Sequence, residues 1–178
     1  ATLALRQAGG GEVHATAWGP GAEWTIASVP DLLGARDSVD GFVPRHQRLA
    51  DVHRLHPGVR IPRTGLVLDS VIPAIFEQKV TGKQAHEAWR FVLQRYGTPA
   101  PGPAPAGMRV PPPAARLLDV PTWDWHRAGV GIDRQRAIRA AATVADRLEE
   151  CVDLAPAAAL ARLRTVPGIG VWTAAETA

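Results

Sequence analysis

Residues 163–175 read Leu-Arg-Thr-Val-Pro-Gly-Ile-Gly-Val-Trp-Thr-Ala-Ala, and they constrain this chain more than any other stretch. Gly168 and Gly170 admit left-handed backbone and carry no side chain, and Pro167 cannot continue a helix interior. The segment predicts a helix, a tight Pro-Gly-Ile-Gly hairpin and the start of a second helix. Bare N–H groups at that start can grip a phosphate, with the helix dipole assisting. Such a grip reads no base sequence, because phosphate contacts position a protein whereas base contacts specify. An ordinary helix end followed by a new helix carries the same Pro and Gly marks.

The 178 residues allow one domain with a small extra lobe. Apolar residues make up 46% against 21% charged, and no apolar run nears the roughly 18 residues of a membrane-spanning helix. A disordered tail or a membrane protein is thereby excluded. Cys151 is the only cysteine, so the chain holds neither an internal disulfide nor a cysteine-based metal cluster, and a reducing cytoplasm is expected. No secretory or transit signal is visible. The net charge of +3 is uneven in its carriers: all but Lys79 and Lys83 of the basic residues are arginines. Between Arg45 and Arg63, the arginines 45, 48, 54, 60 and 63 meet only Asp51, with His46, His53 and His56 among them. That excess suits a polyanion, and it equally suits a solvated helix face.

The chain opens with an alternation of period two through Leu3, Leu5, Val13, Ala15 and Ala17, then Gly19-Pro20-Gly21 and a short run, Trp24-Thr25-Ile26. Two or three antiparallel strands are expected over residues 2–27. A helix follows over 44–55, and the next starts near Leu66 or Ser70, kinked or late on account of Pro73, and ends near Val80. Thr81-Gly82-Lys83-Gln84 fits a capping box, so a helix starts at Gly82 and buries Ala85, Ala88, Trp89, Val92 and Tyr96. Residues 97–113 hold seven of the sixteen prolines and form a semi-extended surface excursion. Short helices at 113–118 and 122–128 come next, with Trp123, Trp125 and His126 as packing groups. Asp133 is expected to cap a long helix with Ile138, Ala142, Ala145 and Leu148 on its buried face. Arg134, Arg136 and Arg139 in its first half oppose the helix dipole, and an external anion is one way to compensate them. Pro156 starts the next helix. The histidines lack a matching set of metal ligands.

Three stretches together resemble the helix-hairpin-helix DNA glycosylases, in particular the 3-methyladenine DNA glycosylase II branch: Ala74–Thr81, Gly131–Ala140 and Leu163–Ala175. The resemblance covers roughly residues 66–178. It implies an α+β chain, mostly a helical bundle (41–178, incomplete at its carboxyl end), with a partial antiparallel β lobe at 1–40. It further implies a base-excision enzyme that binds the minor groove of double-stranded DNA, flips a nucleotide and hydrolyses the N-glycosidic bond of an alkylated purine. A non-enzymatic duplex-binding module built on the same hairpin is the competing reading. A monomer in the cytoplasm, associated with the nucleoid and free of membrane, is expected.

The resemblance also assigns roles. Gln78-Lys79-Val80 matches the turn that supplies the family's wedge, where an apolar residue is common and this chain has Lys79. The expected DNA contacts are Lys79, Thr81, Lys83, Val166, Pro167, Gly168, Ile169, Gly170 and Thr173. Trp172 stands where bifunctional relatives carry a Schiff-base lysine, and an indole cannot form that imine, so base release without strand cleavage is implied. Trp172, with Gln78 and Glu176, would line the base pocket, the indole face attracting a cationic base. No cofactor is expected, but an alkali cation could sit on the carbonyls of Arg164, Val166 and Ile169. The family's essential Asp lies shortly after the hairpin's second helix and matches no residue up to Ala178. No catalytic residue is therefore assigned. Both Gly168→Ala and Gly170→Ala are expected to weaken DNA binding.

Overall fold

The alternation near the amino end becomes two paired strands, β1 (Thr2–Gln7) and β2 (Val13–Trp18), in the computed structural model, which describes residues 1–178. The short connection, closed by Ala8 N–H on Glu12 O at 2.8 Å, makes the pair antiparallel. The run Trp24-Thr25-Ile26 is not a third strand. It lies inside helix α1 (Ala22–Leu32), which begins where Gly21 takes a left-handed φ of 80° and Glu23 enters the first turn, favourable to the helix dipole. Three residues are too few to display a period, so the turn chemistry before them decides. Helix α2 (Gln47–Leu55) starts at His46, whose Nδ1 accepts the Arg48 N–H, so this histidine is a helix cap.

These elements belong to one compact unit, Leu3–Thr64, in which α1 packs on β2. A second unit spans Gly65–Ala178. The change of texture in the sequence lies near residue 40, ahead of that division.

In the second unit α3 (Val67–Phe76) starts close to the earlier of the two expected positions and carries Pro73 in its interior. Its first turn is completed from far along the chain: the N–H groups of Val67 and Leu68 donate to Glu149 Oε2 and Oε1, both at 2.9 Å. The helix stops at Phe76, before Val80, leaving Glu77–Val80 as a turn. Helix α4 (Gly82–Tyr96) opens with the expected capping box, Thr81 N–H on Gln84 Oε1 at 3.0 Å and Gln84 N–H on Thr81 Oγ1 at 3.3 Å. Within the proline-rich stretch, β3 (Thr98–Pro99) and β4 (Arg109–Val110) pair antiparallel, Thr98 opposite Val110.

Two short helices follow, α5 (Ala114–Leu118) and α6 (Thr122–Arg127). Helix α7 (Ile132–Thr143) is capped by Gly131, so Asp133 falls in its first turn and is not the cap. Val144 (φ −113°, ψ 23°) interrupts the expected long helix, and α8 (Ala145–Glu149) continues beyond it. The last helices are α9 (Pro156–Leu163) and α10 (Val171–Thr177).

Helix α3 is the hub of this unit, packing on α4, α7, α8 and α10. Its own Val71, Ile75 and Phe76 are buried together with Val92, Trp125, Ile138, Leu148 and Leu163 from its neighbours. The Phe76 ring lies 5.3 Å from that of Trp89 and 6.1 Å from that of Trp125. Of the three α6 groups expected to pack, only Trp125 does; Trp123 is 68% exposed and His126 also faces solvent. The mostly helical α+β composition matches the expectation from the sequence. No helix is long and apolar enough to cross a membrane.

Candidate nucleic-acid interface

The hairpin between α9 and α10 is held from beneath by its apolar residues. Val166 and Ile169 are buried, and the Ile169 N–H closes the turn on Val166 O at 3.0 Å. Pro167, Gly168 and Gly170 are exposed above them. Gly168 has a φ of 88°, and a methyl added there would lie 2.5 Å from Ala137 Cβ on α7, so this glycine is required by both backbone and packing. Gly170 caps α10 with extended backbone, and no side chain bonds the helix's first turn. Val171 and Trp172, at the start of α10, are 67% and 49% exposed. The indole is therefore available to a ligand face. Glu176, one helical turn further on, is exposed as well.

The expected contact residues divide by what their side chains already do. Val166 and Ile169 point inward, so only their backbones remain for DNA or for a cation, and the Val166 carbonyl already accepts the turn bond. Thr173 is buried, its Oγ1 accepting Gln78 Nε2 at 2.9 Å. The same Gln78 nitrogen donates to Gly168 O at 2.9 Å. Both amide protons of Gln78 thus serve the hairpin, which leaves only its carbonyl oxygen for a pocket. Thr81 closes the capping box of α4, and Lys83, exposed, stands 4.0 Å from Glu87. Lys79 is exposed, makes no ion pair and adopts a left-handed φ of 54°, the only non-glycine residue to do so.

A scan against protein-family models and a search of curated proteins give no match. Solved structures do. The 3-methyladenine DNA-glycosylase from Archaeoglobus fulgidus superposes with a TM-score of 0.70 at 19% identity, covering 93% of this chain and 58% of that one. The Clostridium acetobutylicum 8-oxoguanine glycosylase/lyase, in complex with DNA containing cytosine opposite 8-oxoguanine, gives 0.68 at 12% identity, with 97% and 67% covered. The Schizosaccharomyces pombe 3-methyladenine DNA glycosylase, in complex with abasic DNA, gives 0.55 at 17%, with 85% and 68% covered. The chain has the helix-hairpin-helix DNA glycosylase fold. It spans 58% of the length of the archaeal glycosylase.

Two polar groups of this glycosylase fold were hidden from the sequence in their partners. Arg134, for which an external anion was one possible compensation, is buried and donates to Phe76 O and Gly129 O, both at 2.8 Å. Burial lowers its pKa from the usual arginine value. Arg139 donates to Leu118 O at 2.6 Å, and Arg136 lies 3.9 Å from Asp133. Arg134 and Arg139 thus direct their guanidinium groups to backbone carbonyls of the chain, while Arg136 stays in solvent. Asp124 is 1% exposed; its Oδ2 accepts the Arg95 Nε–H at 2.7 Å and the Tyr96 hydroxyl, tying the end of α4 to α6.

The Tyr96 hydrogen bond, with help from Arg95, holds the Asp124 carboxyl below the ordinary aspartate value of 3.8. A depressed folded-state pKa contributes stability that is fully present above the unfolded value and lost as pH falls through the folded one. Melting temperature should therefore be insensitive to this pair above about pH 5 and fall below about pH 4. Asp124→Asn should flatten that acid limb; an unchanged limb in thermal melts from pH 6 to 2 would show that other carboxylates carry it.

Proposed function

We propose that this chain belongs to a base-excision repair DNA glycosylase that hydrolyses the N-glycosidic bond of alkylated purines such as 3-methyladenine and leaves the strand intact. The observation that carries the reading is Trp172: a half-exposed indole directly after a hairpin of exposed glycines, where the imine-forming lysine of bifunctional glycosylases would stand. A base alkylated on a ring nitrogen is cationic, and an indole face attracts a cation by about 0.5–2 kcal/mol according to how far the pair is desolvated. The hairpin holds the DNA backbone through amides and leaves sequence unread, as a repair enzyme that meets lesions in any context requires. Two of the structural neighbours are 3-methyladenine DNA glycosylases, which supports the alkylated substrate. No residue of the chain is assigned as the carboxylate that stabilises the sugar cation; Glu176 is a rim group.

The test, made on the full-length protein, is release of bases from duplex DNA bearing 3-methyladenine or 7-methylguanine against DNA bearing neutral hypoxanthine. Trp172→Ala should reduce release of the cationic bases by about 2- to 30-fold, and that of the neutral base by less. Equal losses would remove the cation–π role. Strand breaks should need alkali, and breaks without it would contradict the monofunctional reading. Binding that weakens steeply with salt but releases no base would instead favour the duplex-binding module.

A further inference from the structure

Gln78 and Lys79 are neighbours with opposite fates. Gln78 reaches 90 and 95 residues along the chain to bond Gly168 O and Thr173 Oγ1, both at 2.9 Å. One acceptor is the hairpin's exposed glycine and the other lies in α10, so a single amide nitrogen clamps the hairpin to the helix that leaves it. Since Gly168 O can only accept, the amide orientation is fixed with the nitrogen toward the hairpin. Lys79 projects from the same turn with no acidic partner and with left-handed backbone, a conformation a lysine keeps only where its flanks are tied down. Those ties are present: Gln78 on one side, and on the other Val80, packed against the core. Arg134 adds a third by bonding Phe76 O, at the end of the helix that leads into the turn.

We propose that Gln78 is a positioning residue. It holds the Lys79 ammonium in register with the hairpin, so that the cation and the hairpin backbone engage one DNA backbone as a unit. This rests on the DNA-binding reading above and adds to it a residue that acts through Lys79 and not by lining the base pocket. A bare lysine on a loose turn would find phosphates independently of the hairpin; a clamped one adds its contact only when the hairpin is seated.

The experiment is the salt dependence of duplex-DNA affinity for the full chain, measured by fluorescence anisotropy. Each phosphate neutralised contributes about 0.9 to the slope of log K against log salt. Lys79→Ala, which keeps a Cβ in the same backbone conformation, should lower the slope by about 0.9. Gln78→Met, similar in size but without donors, should lower it by the same amount. The double variant should lose no more than either single one. Thr173→Val should lower the slope and Thr173→Ser should restore it, and this pair decides the matter if Gln78→Met does not fold. A Gln78→Met slope equal to wild type, whatever the change in affinity or melting temperature, overturns the proposal, because a merely structural amide alters stability but not the number of phosphates held. A double variant that loses two contacts overturns it too, since Gln78 would then be touching DNA itself. Wild-type binding that does not respond to salt would instead remove the DNA-binding reading, a failure visible before any variant is made.

Discussion

Gly168→Ala should lower the melting temperature of the 65–178 unit by about 10 °C and, on the DNA-binding reading proposed above, weaken its hold on duplex DNA. Two costs combine. Left-handed backbone, here a φ of 88°, costs a residue with a Cβ about 1–2 kcal/mol. The added methyl also lies 2.5 Å from Ala137 Cβ and 3.3 Å from Ala137 Cα, both fixed in a buried helix, so the hairpin must lift from α7; forced overlaps of this kind cost about 1–3 kcal/mol. The sum, about 2–5 kcal/mol, is a large share of the 5–15 kcal/mol that ordinarily separates folded from unfolded protein. Gly170→Ala is the control, since its φ of −90° suits any residue and no atom lies within 4 Å of the added methyl. Its melting temperature should stay within about 2 °C of wild type, so any loss of DNA affinity there reports on the methyl meeting the phosphate. The sequence treats the two glycines alike; the structure separates them. Equal melting temperatures for the two variants in a differential scanning experiment would show that the hairpin does not pack on α7.

Arg134→Met should destabilise the same unit by about 2–4 kcal/mol, read as a lower urea midpoint at unchanged slope. Methionine fills much of the volume but cannot donate, so the carbonyls of Phe76 and Gly129 lose their partners. An orphaned buried carbonyl alone costs about 1–3 kcal/mol. Arg134→Lys should fall between, because a point ammonium cannot reproduce a planar fork that reaches two carbonyls at 2.8 Å. An Arg134→Met protein as stable as wild type would mean that water or local movement satisfies both carbonyls.

These residues show where the sequence was readable. The Thr81–Gln84 box and the Pro156 start were legible because a cap is a bargain among four consecutive residues, complete within the text that specifies it. The hairpin was legible for the same reason: its two glycines and buried Val166 and Ile169 form a pattern only a few residues long. What stayed hidden is whatever depends on a distant backbone atom. Arg134 looked like a cation facing the wrong end of a dipole because its acceptor, Phe76 O, lies 58 residues away and carries no side-chain signature. The bonds of Gln78 to the hairpin stayed hidden for the same reason, its partners being a glycine carbonyl and a threonine 90 and 95 residues away. At the amino end, Trp24-Thr25-Ile26 misled in another way: its β-branched and aromatic residues favour strands, and a left-handed glycine just before them turned the chain into a helix.

The carboxylate of Glu149, which receives the first two amides of α3 from 82 and 81 residues away, bears on the order of assembly. The hub helix is made before Glu149, and its leading turn stays incomplete until that carboxylate arrives to accept both hydrogen bonds. Closing so long a loop carries an entropic cost, so the first turn of α3 is completed only once that distant contact has formed. A chain cut short before residue 149 would carry a frayed first turn of α3, and the Glu77–Val80 turn at the other end of that helix would inherit the looseness.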